Sequence, residues 1–188
     1  MRIQPIPPGT LDADLRYVHD EIVNLIGHSQ SQVTMIDSNG ALLGPFIAML
    51  QYAQFGVPAL SFLRTLDAHA TLPKNVREVA ILTVGGYYGA KFELYAHSIM
   101  AGSFGIAQNT IATLAAGGHP HGLNEQEAVA HDIAYALLTG RIVPDITYKH
   151  AQQLLGKESV AELFFLIGGY CLIAMLLNGF DIPAPDNF

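Results

Sequence analysis

Three features of the chain predict an all-α fold. Apolar residues recur at three- and four-residue spacing, as in Leu11, Leu15, Val18, Ile22 and Leu25. Valines are few and alternating apolar–polar runs are short, so strands have little support. Prolines and glycines fall between the periodic stretches, where they start and stop helices.

The first helix is expected over 10–27, with Gly27 at its C-terminal cap. A polar loop follows over 28–44. Pro45 opens a helix to about 55, Pro58 a second to about 69, and Pro73 a third over 75–86. Proline suits a first helical turn because the amide there has no acceptor within the helix. Residues 91–104 form the next helix, and the turn at Tyr88-Gly89-Ala90 folds it back on its predecessor. A helix over 107–116 stops at Gly117-Gly118. Asn124 and Glu127 make a start close to a capping box for a helix to 138. Residues 144–155 and 158–178 are the last helices, and two prolines keep the tail from 181 to 188 extended. The reading is about nine helices in a single domain, 1–188. A faint internal repeat joins two of them: residues 76–82 with Gly85-Gly86-Tyr87 match residues 160–166 with Gly168-Gly169-Tyr170, after a one-residue gap.

Charge narrows the function classes. The net charge is −7 and no basic stripe is present, so nucleic acid and anionic membrane surfaces are poor partners. Charged residues make up 13% of the chain, against about 25% in ordinary soluble proteins. The apolar excess predicts burial between subunits, hence a homo-oligomer. The uncharged stretch 163–180 is at the lower edge of a membrane span in length. Glu162 and Asp181 bound it with no Lys or Arg close by, so burial in the core or a subunit interface is the expectation, with no membrane partner. No signal peptide is read in residues 1–9. The single cysteine, Cys171, rules out an internal disulfide and a cysteine-based zinc site. It suits a reducing compartment, so a cytoplasmic location is expected.

Where charge is scarce, charges within apolar helices are informative, because burying one is costly unless it is paired. Glu93 and His97 are four residues apart and share one helix face. Glu78 lies 11 residues before Gly89 and His97 eight after it, so the hairpin brings them to a similar height. In such a grouping negative charge favours the imidazolium while burial disfavours it. That balance suits general acid–base work. A histidine pinned by a carboxylate also serves as a plain brace between helices. Arg77 is a candidate fork for a substrate carboxylate, although it sits beside Glu78 and points to another face, where an ion pair at a helix or subunit contact is the commoner use. Arg64 is comparable. Tyr88, with Tyr87, and Asn39 are further candidate substrate contacts, each with a bland alternative: packing for the tyrosines, a turn for Asn39-Gly40. His119-Pro120-His121 has metal-ligand spacing but no evident third ligand, so no metal site is expected.

The stretch 72–114 resembles the carboxymuconolactone decarboxylase family, within the alkylhydroperoxidase D-like superfamily. The residues that carry the likeness are Leu72-Pro73, Arg77-Glu78, the Glu93 to His97 segment, and Ala101 followed by Gly105. Asn39-Gly40, Leu43-Gly44-Pro45 and Leu177-Asn178-Gly179-Phe180 extend it to about 39–185. The resemblance implies a helical bundle, assembly as a trimer or hexamer, and catalysis without metal or organic cofactor. The peroxidase branch carries a Cys-x-x-Cys motif, a histidine four residues later and a glutamate on the preceding helix. Glu78 and His97 match the last two, but Ala90 and Glu93 stand at the cysteine positions. The expected function is therefore a lyase that decarboxylates a small carboxylated lactone or related cyclic acid, with His97, Glu78 and Glu93 catalytic. One alternative is a peroxidase-like antioxidant that uses Cys171 and an external thiol. Another is an oligomeric binding protein without catalysis.

Overall fold

A computed structural model describes residues 1–27 and 33–185 of the chain. Residues 28–32 of the expected loop and 186–188 of the expected tail lie outside the described residues. The described residues form nine α-helices and one 3-10 turn at Pro8–Thr10, with a lone antiparallel bridge between Ile36 and Leu42. The helices are α1 (Ala13–Gly27), α2 (Pro45–Gln51), α3 (Ala53–Ala68), α4 (Lys74–Tyr88), α5 (Lys91–Ser103), α6 (Gln108–Ala115), α7 (Glu125–Leu138), α8 (Asp145–Leu155) and α9 (Lys157–Gly179).

Local chemistry accounts for most boundaries. Pro45 starts α2, and Pro73 and Pro144 are the N-caps of α4 and α8. Asn124 and Glu127 close a complete capping box on α7, with Asn124 Oδ1 accepting from the Glu127 amide at 3.0 Å and Glu127 Oε2 from the Asn124 amide at 3.0 Å. Pro58 departs from expectation. It lies inside α3, and the break comes six residues earlier at Tyr52. Packing sets that corner: a Cβ at Gly56 would lie 2.0 Å from the Met49 carbonyl oxygen, so only glycine lets α3 cross α2 so closely.

The core is built around α4 and α9. From Val76 to Gly85 every residue of α4 is buried. α4 packs against α5, α6, α7 and α9, while α9 also touches α2, α3, α5, α7 and α8. Gly89, in the left-handed region at φ 61°, caps α4 and turns the chain into α5. The turn of this hairpin is tied to α9, because Asn178 Nδ2 donates to the Tyr88 carbonyl at 2.7 Å. α9 is long and apolar enough to cross a membrane by length and composition alone. One of its faces packs in the core. The other exposes Phe165 at 61%, Leu172 at 40% and Met175 at 56%. With Gly168 these residues follow three-, four- and three-residue steps and share one stripe.

Candidate active site

The α4–α5 hairpin brings the two expected partners together. His97 Nδ1 and Glu78 Oε2 are 2.8 Å apart, and both side chains are buried. With the carboxylate as acceptor, Nδ1 carries the proton and Nε2 is directed away from Glu78. Nε2 has no hydrogen-bond partner among the described residues. The ring of Tyr170, from α9, meets the His97 ring edge-on with centroids 4.9 Å apart.

Glu93 is one turn before His97 on α5 and is only 2% exposed. Both of its carboxyl oxygens are sealed from solvent without a hydrogen-bond partner. The carboxyl lies against the α4 backbone at Gly85, where an added Cβ would be 3.4 Å from Oε1. Burial drives its pKa well above the ordinary carboxylate value. The Tyr170 phenol is also pushed well up, first by burial and then by the charge of Glu78. Cys171, half-buried beside these groups, is raised by burial and by Glu93, against a lowering contact from Tyr88. A thiol held protonated in this way is a poor nucleophile.

The other expected contacts are placed differently. Arg77 Nη1 donates to Glu162 at 2.7 Å and to the Leu66 carbonyl at 3.1 Å, and Nη2 to Asp67 at 2.6 Å. Its donors therefore brace α3, α4 and α9. Burial pushes the Glu162 carboxyl up, but hydrogen bonds from Thr71, Leu72 and Arg77 hold it below the usual range. Tyr88 stands beside Cys171, its phenol raised by burial and then by that thiol. Asn39 sits exposed in the turn 37–40, its amide donating to Asp37 Oδ1 at 2.8 Å.

Sequence reasoning passed over two groups. One is Tyr170, whose only signal was its place after Gly168-Gly169 in the faint repeat. The other is a chain of hydrogen bonds on α4 and α7. Thr83 Oγ1 donates to the Val79 carbonyl at 2.7 Å, so its oxygen accepts from His131 Nδ1 at 3.0 Å. Burial, and next the nearby His119, hold His131 below its ordinary pKa. The neutral ring then accepts at Nε2 from His119 Nδ1 at 2.9 Å. His119 is thus engaged with His131, and among the described residues no three His, Cys, Asp or Glu side chains group as metal ligands. A water-sized cavity of about 20 Å³ adjoins His131, Thr83 and Tyr135. An apolar cavity of about 170 Å³ lies between Leu43, Ile47, Phe92 and Ile182. Neither is walled by Glu78, Glu93 or His97.

No family model matches the chain, and no curated protein matches it significantly. The geometry of the site itself therefore bears the functional reading.

Proposed function

We propose that the chain is a cofactor-independent lyase of the carboxymuconolactone decarboxylase type, with an alkylhydroperoxidase D-like bundle. It acts by proton transfer on a small carboxylated lactone or related cyclic acid. The observation that carries this reading is the buried 2.8 Å bond between His97 Nδ1 and Glu78, which leaves Nε2 without a partner among the described residues. Glu78 fixes the orientation and tautomer of the ring. The substrate's carboxylate is conjugated with a carbonyl. The bond from that carboxylate to the ring carbon breaks, its electron pair enters the carbonyl system as an enolate, and carbon dioxide leaves. His97 Nε2–H then protonates the carbon, and the neutral imidazole regains a proton from solvent. One substrate carboxylate and one proton thus become one carbon dioxide and the protonated product.

A homo-oligomer, trimer or hexamer, belongs to the same proposal and is supported by the exposed apolar stripe of α9. The peroxidase-like alternative is disfavoured by the protonated state of Cys171.

The test is carbon dioxide release across small carboxylated lactones, with His97→Ala and Glu78→Gln beside the wild type. Loss of the proton donor lowers the rate by roughly 10²–10⁴-fold. Unchanged rates in both variants, with folding intact, would show that the pair is only a brace.

A further inference from the structure

The outer edge of α9 is uncharged along most of its length. Within 161–177 the exposed positions are Ala161, Phe165, Gly168, Leu172 and Met175, and Gly179 continues the line at the helix end. A helix edge that faces water carries polar and charged residues instead. The steps between these six residues are four, three, four, three and four. Alternating steps of that kind keep one narrow seam against a second helix, with each side chain entering a gap on the other. Gly168 provides such a gap, because a Cβ there would meet nothing within 4 Å. The seam also has a direction. Turned end for end about position 170, the line repeats its own steps, so Ala161 falls opposite Gly179, Phe165 opposite Met175 and Gly168 opposite Leu172. In a parallel pair each residue would meet itself. Gly168 would then face glycine while Phe165 and Leu172 on either side held the helices apart, leaving a void. The antiparallel pair fills that gap with Leu172 and sets opposite ends of the two helix dipoles side by side.

We propose that α9 pairs with α9 of a second copy of the chain, antiparallel and about a two-fold axis at position 170. Leu172 sits over Gly168 of the partner subunit, and Phe165 packs beside Met175 of the partner subunit. This inference rests on the homo-oligomer proposed above and adds the contact and its direction. A two-fold pair calls for an even number of copies, which a hexamer satisfies and a trimer does not. A lipid surface fits the same edge less well. The net charge is −7, and the exposed line is one residue wide, where a helix lying in lipid presents a broad apolar face flanked by basic residues.

The experiment places thiols at the two ends of the seam, in the full chain carrying Cys171→Ser. Ala161 and Gly179 are exposed, so Ala161→Cys and Gly179→Cys leave the core and the large seam residues in place. In the antiparallel pair position 161 lies level with position 179 of the other copy, whereas the two copies of 161 are about 27 Å apart along the axis. A short bis-maleimide should therefore cross-link the double variant into dimers and leave each single variant uncoupled. Gly168→Leu, which fills the gap that Leu172 enters, should weaken association by roughly tenfold in sedimentation. Circular dichroism establishes that each variant is folded. Dimers from a single variant as abundant as those from the double would mean a parallel pair and overturn the proposal. So would the absence of cross-linked dimers from the double variant, whether the chain is then monomeric, joined through another face or bound to lipid vesicles. Association unchanged in Gly168→Leu would overturn it as well. Sedimentation of the wild type reads the assembly separately, so an oligomer without these cross-links defeats the α9 pairing alone, and the His97 and Glu78 rates decide the lyase reading.

Discussion

Glu93 is the buried acid that the fold leaves without a hydrogen-bond partner among the described residues. Its neutral carboxyl is tolerated inside the helix pair, whereas its ionised form has no partner there. The sign of the resulting pH effect is fixed. The unfolded chain ionises Glu93 above a pKa of about 4.3, while the folded chain keeps the proton to a higher pH. The folded state therefore binds more protons over that window, and stability falls as pH rises. One proton gives a slope of at most about 1.4 kcal/mol per pH unit. Glu93→Gln should remove this slope, so the variant gains on the wild type as pH is raised from about 4 to 7, read from urea unfolding midpoints. Parallel curves for the two proteins would mean that Glu93 is ionised inside the fold. The meeting of Glu78 with His97 was legible in the chain, because it needs only a helical rise and a glycine turn. Tyr170 was not: it reaches His97 across 73 positions through the packing of α9 on α5, which no local spacing encodes.

At the scale of elements, α3, α4 and α9 are fastened by one guanidinium. Arg77 fills its donors with Glu162, Asp67 and the Leu66 carbonyl, and Glu162 also accepts from the Thr71 amide, its hydroxyl and the Leu72 amide at 2.6, 2.7 and 2.9 Å. Removing the cation leaves a largely buried carboxylate without its counter-charge, a change that costs about 3 kcal/mol. Arg77→Met should lower unfolding stability by about that amount, measured in urea. A loss below about 0.5 kcal/mol would free Arg77 from this structural role. Helix boundaries were readable where side-chain and backbone chemistry is local, as in the capping box of Asn124 and Glu127 or the prolines ahead of α2, α4 and α8. The α2–α3 corner was not. Proline at 58 marked a plausible start, but the crossing of two backbones at Gly56 and Met49 is a tertiary contact, and it moved the break to Tyr52. Arg77 shows the same limit in a side chain: a fork for a substrate and a fork for Glu162 look identical until α9 is in place.

For the whole molecule, the apolar composition and the stripe on α9 bear on one question. A lone domain has little reason to expose Phe165, Leu172 and Met175 in register along its central helix. A second copy of the chain covers such a face by symmetry, and the proposed assembly places it out of water. Sedimentation at micromolar concentration should find an oligomer for the wild type. Phe165→Glu combined with Met175→Glu should yield smaller species, since two charges would then be buried without partners. A wild-type monomer would contradict the assembly while leaving the His97 site untouched.

The central claim is that His97 delivers a proton to carbon as carbon dioxide departs. It is tested most directly by running the carbon dioxide assay in heavy water and measuring deuterium in the product. The account predicts one deuterium at the decarboxylated carbon for each carbon dioxide released, with both signals falling by about a hundredfold or more in folded His97→Ala. Equal release and equal labelling by that variant and the wild type would contradict it.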